Sequence, residues 1–72
     1  MRKLNFTTET GKCIQIVLTM DDVTDDADYF IYYKDREKFL DTAKLLMSKF
    51  RTKKVTKKVA QELINRNLLW KN

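Results

Sequence analysis

Two kinds of spacing divide the chain. Over residues 2–8 polar and apolar residues alternate, with Leu4 and Phe6 on one side and Lys3, Asn5 and Thr7 on the other. Over residues 13–20 they alternate again, with Ile14, Ile16, Leu18 and Met20 on one face and Gln15 and Thr19 opposite. A period of two is that of a half-buried strand. Between the two runs lies Glu9-Thr10-Gly11-Lys12, and Gly11 is the single glycine of the chain. Glycine takes a positive φ without steric cost, so the pattern predicts a hairpin turning at Gly11. After an acidic connection, Tyr29-Phe30-Ile31-Tyr32-Tyr33 is β-branched and aromatic throughout, which favours a third strand. Tyr29, Ile31 and Tyr33 share one face of it and Phe30 and Tyr32 the other.

From Arg36 onward the spacing becomes helical. Phe39, Ala43, Leu46, Met47 and Phe50 form one stripe; Val55, Val59 and Leu63, flanked by Ala60 and Ile64, form a second. Asp35 stands where the first helix needs a cap. The step of five from Phe50 to Val55 swings the apolar face by roughly 140° at 3.6 residues per turn. Lysines occupy positions 53, 54 and 57, where the first stripe would continue. The spacing therefore predicts a turn near residues 51–54 and a second helix capped by Thr52 or Thr56. Trp70, following Leu68 and Leu69, is expected to fold back and seal an end of the core. The predicted architecture is α+β: a three-stranded antiparallel sheet (β-β-β) followed by a two-helix hairpin packed on one face. Arg2 and Lys3 read as protection of the first strand's edge.

Length and composition narrow the possibilities. Seventy-two residues make one domain, 1–72, with no room for a cleft between domains. One cysteine cannot form an internal disulfide, and with no histidine neither a zinc finger nor a His-based catalytic site assembles. No apolar run approaches the ~20 residues of a membrane span. No basic segment followed by an apolar one opens the chain, so a cytoplasmic protein is expected. Ser48, the only serine, has no histidine to activate it, and Cys13 reads as a small buried hydrophobe. The expectation is a protein without catalytic residues, cofactor or metal.

Charge is distributed unevenly. Residues 1–20 carry +2, residues 21–37 carry −5 and residues 38–72 carry +8, giving the net charge of +5. Between Phe39 and Gln61 the only acid is Asp41, while Lys49, Arg51, Lys53, Lys54, Lys57 and Lys58 crowd the predicted turn. Within this stretch Thr-Lys-Lys-Val repeats in tandem, over residues 52–55 and 56–59. Like charges four apart on a helix, and lysines in its first turn, are mildly unfavourable, so charge placed there points to phosphate binding. The lysines and threonines early in the second helix suit phosphates better than base edges. The aromatic third strand offers a second route, through bases stacked on an open sheet face.

The acidic connection invites a metal reading that fails on geometry. Asp22, Thr24, Asp26 and Asp28 fall at positions 1, 3, 5 and 7 of a calcium loop, but Ala27 replaces the turn glycine and Tyr33 the bidentate glutamate. The sequence therefore points to a small accessory or regulatory protein that binds nucleic acid, or a nucleoprotein, through its basic helical hairpin. The alternative is a protein-interaction module or inhibitor docking by its acidic loop (Asp21, Asp22, Asp25, Asp26 and Asp28), a strand edge or the sheet face. A homodimer is compatible with either, because so small a domain gains stability by covering an edge.

Overall fold

The structure, a computed structural model, describes residues 3–72 and the side chains from Leu4 on. Strands β1 (Lys3–Thr7) and β2 (Cys13–Val17) form the expected hairpin, with Leu4 opposite Ile16 and Phe6 opposite Ile14. Gly11 has φ 81°, and its N–H reaches the Thr8 carbonyl at 3.0 Å. The buried Thr8 closes the loop from both sides. Its N–H donates to the Lys12 carbonyl at 2.9 Å, and its hydroxyl accepts from the Lys12 N–H at 3.1 Å. The edge-protecting role assigned to Arg2 and to the Lys3 side chain lies outside the described residues.

The sheet departs from the expectation in number and direction. It has four strands in the order β1-β2-β3-β4, where β3 is Tyr29–Tyr32 and β4 is Trp70–Lys71. β3 pairs with β2 in parallel, and β4 pairs with β3 antiparallel, so the sheet is mixed rather than three-stranded and antiparallel. Parallel neighbours need a crossover. Here residues 18–28 supply it, with a 3-10 turn at Met20–Asp22. Thr19 and Asp22 start that turn: the Asp22 carboxylate accepts from the N–H and the hydroxyl of Thr19, both at 3.3 Å. The strand therefore stops at Val17, and Leu18 and Met20, expected on its inner face, are exposed.

Helix α1 spans Arg36–Lys49 and α2 spans Lys57–Asn65. Asp35 occupies the N-cap position of α1 but makes no side-chain cap bond; the chain enters through a 3-10 turn at Tyr33–Asp35. Thr56 does cap α2, accepting the Val59 N–H at 3.3 Å. Both helices end in the same hydrogen-bonded motif. After α1, Thr52 N–H bonds the Met47 carbonyl at 2.9 Å and Arg51 N–H that of Ser48 at 3.2 Å. After α2, Leu68 N–H bonds Leu63 at 2.9 Å and Asn67 N–H bonds Ile64 at 3.0 Å. This is the Schellman stop, which needs a left-handed residue and normally uses glycine. Arg51 (φ 54°) and Asn67 (φ 59°) fill the role instead.

One hydrophobic cluster joins sheet and helices. Ile14, Ile16 and Ile31 from the strands meet Phe39, Ala43, Leu46, Val59, Ala60 and Leu63 from the helices, with Leu68 and Leu69 behind α2. Ile16 and Ile31 are register partners, so these isoleucines share a sheet face. The opposite face carries Gln15, Phe30 and Trp70 as successive partners, and Val17 beside Tyr32. Gln15, Val17 and Phe30 are nevertheless buried, and Gln15 is hydrogen-bonded to Thr24 of the crossover. Trp70 folds back against the core cluster as expected, though within a strand that the pattern did not predict. It forms the fourth strand and stacks on Phe30, with ring centroids 6.1 Å apart.

Candidate functional site

The six cations singled out by the sequence gather around one turn. Lys49 ends α1, Arg51 takes the left-handed position behind it, and Lys53 and Lys54 lie in the connection. Lys57 and Lys58 open α2. The Thr52 hydroxyl shapes the connection, accepting the Lys54 N–H at 3.2 Å and donating to the Lys54 carbonyl at 3.3 Å. All six cationic side chains are exposed. Among the described residues the only ion pair joins Arg66 to Glu62, at 3.9 Å, so none of the six is neutralised by a neighbouring carboxylate. The tandem repeat straddles the turn, its first copy in the connection and its second in the capped start of α2, so its lysines do not stack in helical rows.

The fold adds groups that the sequence did not bring to this place. The Glu9 N–H approaches the Val55 carbonyl at 3.4 Å, so the β1–β2 loop meets the helix connection. Lys12 and Lys57 then line one cavity of about 160 Å³, with the hydroxyl-bearing Thr10, Thr56 and Tyr29. Phe50, placed by its spacing in the core stripe, is 37% exposed. It is the C-cap residue, where α1 ends and the chain turns away, and the Lys49 Nζ lies 5.9 Å from its ring centroid. No spacing rule carries Lys12 or the ring to this end of the molecule. The meeting of two loops distant in sequence brings Lys12 there, and the point at which α1 stops leaves the ring outside the core.

The acidic residues differ in their surroundings. Asp28 accepts the Cys13 N–H at 2.8 Å, and its own N–H returns to the Cys13 carbonyl at 2.9 Å. Asp22 is occupied with Thr19. Asp21, Asp25 and Asp26 remain exposed. The buried Gln15 holds the crossover from below, donating to the Thr24 hydroxyl at 2.8 Å and accepting the Thr24 N–H at 3.2 Å. Asn72 holds it from the side through the carbonyls of Thr24 and Ala27, at 3.0 and 2.8 Å.

The aromatic face is a packed cluster rather than an open stacking surface. Phe30 is buried, Tyr32 meets the rings of Phe30 and Trp70 edge-on, and the Lys34 Nζ covers Tyr32 at 5.9 Å. Cys13 is partly exposed rather than buried. No group of three or more metal-binding side chains occurs among the described residues, and no helix is long and apolar enough to cross a membrane. No protein-family model, curated protein or solved structure matches this chain.

Proposed function

We propose that this chain is a non-catalytic accessory protein of the cytoplasm that binds the phosphate backbone of a nucleic acid or nucleoprotein through the turn between its helices. The observation that carries the reading is the exposure of Lys49, Arg51, Lys53, Lys54, Lys57 and Lys58 around one turn with no carboxylate in ion-pair reach. A surface serving solubility alone intersperses both signs. Like charges gathered without partners repel one another and attract a polyanion. Lysine presents a mobile point charge rather than the flat fork that reads base edges, so phosphate contact without sequence preference is the natural use. The reading takes the two helices as a hairpin laid on the Ile14, Ile16 and Ile31 face, with its tip free to meet the ligand.

Fluorescence anisotropy with labelled random DNA and RNA, repeated from low to physiological salt, tests it. If the turn engages four to six phosphates of a duplex, log K falls against log salt with a slope of about −4 to −5. Weak attraction confined to low salt makes the six cations a solvated face. A second reading rests on the fastened crossover, which presents Asp21, Asp25 and Asp26 as a fixed acidic strip for a basic protein surface. Under that reading, replacing the three exposed aspartates abolishes the activity and replacing the lysines leaves it intact.

A further inference from the structure

We infer that the nucleic acid taken by this turn is single-stranded, with one base stacked on Phe50 and its neighbouring phosphates on Lys57, Lys58 and Lys12. The inference rests on the phosphate-binding reading above and narrows it to one class of ligand. A groove of about 440 Å³ separates Phe50 from the start of α2, with Glu9, Thr56, Lys57 and Lys58 along it. It shares Thr56 and Lys57 with the smaller cavity that reaches Thr10 and Lys12. An exposed ring, a lysine pair and a cleft of hydroxyls with a further lysine thus follow one another along one surface.

That succession suits an unpaired strand. Every base has a π-face on which an aromatic side chain can stack, and the phosphates on either side need cations a few ångströms away. In a duplex those faces are already stacked on each other, and a ring at the turn would meet only sugar and phosphate. Phe50 is also unusual for its place: it is the exposed large hydrophobic flanked in sequence by Lys49 and Arg51. The Lys49 ammonium lies over the ring, 5.9 Å from its centroid, and its flexible stem lets it swing from there to the phosphate of a nucleotide stacked on the ring. Glu9 is the one carboxylate on the groove, and it opposes the ligand. Glu9→Gln accordingly tightens binding a few-fold.

The test compares a labelled single strand with its matching duplex, using the intact chain and the Phe50→Ala, Phe50→Trp and Lys57→Ala/Lys58→Ala variants. The single strand binds more tightly than the duplex. Phe50→Ala weakens it about 5- to 150-fold, the loss of one stacked base, without changing the salt slope. Phe50→Trp restores the affinity, and the double lysine change makes the slope shallower by about 1.4. Circular dichroism checks that each variant is folded, and the tryptophan variant keeps the test decisive if the alanine variant is not. Equal affinity for duplex and single strand, or no loss in a folded Phe50→Ala, overturns the inference and leaves the phosphate-binding reading standing. No binding to either ligand removes both.

Discussion

The crossover between β2 and β3 and the turn between α1 and α2 are both short, polar and strongly charged, with opposite signs. The crossover is fastened by side chains: Gln15 on Thr24, Asp28 on Cys13, Asp22 on Thr19 and Asn72 on two carbonyls. Two of its five acids are spent on those bonds. The basic turn is held by backbone bonds and threonine hydroxyls, and none of its six cationic side chains makes a hydrogen bond that holds it. Charge in the first region helps build the fold, whereas charge in the second is left for something outside the molecule.

The largest effect expected from this difference is on binding. Replacing Lys53, Lys54, Lys57 and Lys58 with alanine removes four phosphate contacts, worth about three decades of affinity at 0.1 M salt. The melting temperature stays within a few degrees. Retained affinity would erase the contrast between the two regions. Next comes Gln15→Ala, which strips the buried anchor from Thr24. It costs about 2 kcal/mol, a fall in Tm on the order of 10 °C by thermal circular dichroism. An unchanged melting curve means that the crossover is not held from below.

The acids should then divide among themselves. Asp28→Ala leaves the Cys13 N–H without its charged acceptor and costs about 1.5 kcal/mol in urea unfolding, while Asp25→Ala and Asp26→Ala stay within about 0.5. Equal costs would show that the crossover acids are interchangeable after all. A smaller effect than that of Asp28→Ala belongs to Arg51→Gly. It relieves a left-handed non-glycine residue and stabilises by about 0.5–1 kcal/mol, yet makes the single-strand salt slope shallower by about 0.7. Stability and binding moving in opposite directions at one residue would sharpen the comparison most directly.

Much of the local structure was legible. Gly11 marks the hairpin, the step from Phe50 to Val55 marks the break between helices, and the cap was narrowed to Thr52 or Thr56, of which the structure uses Thr56. The parallel pairing of β2 and β3 was not legible, because alternation fixes which residues share a face but not which way a neighbour runs. Alternation also marked Gln15 as an outward residue, yet it is buried and bonded to Thr24 of the crossover. The two-residue β4 is too short for any periodicity, so the return of Trp70 to the core was legible but its pairing as a strand was not. At the site, the six cations were visible as a run. Lys12 and the exposed ring of Phe50 were not, since one depends on two loops meeting and the other on where the helix stops.

The pairing of β4 also belongs to the widest ring closures in the chain. The hairpin and the helices join residues close in sequence, which are quick to meet. β4 instead joins Phe30 to Trp70, and Asn72 fastens on Thr24 across 48 positions. Closing so wide a ring costs chain entropy before it returns any contact, and such non-local topology slows folding far below the rate of a purely helical chain of this length. By this argument the clasp on the crossover is expected to close later than the hairpin and the helices, since it must wait for the last strand to return to the sheet.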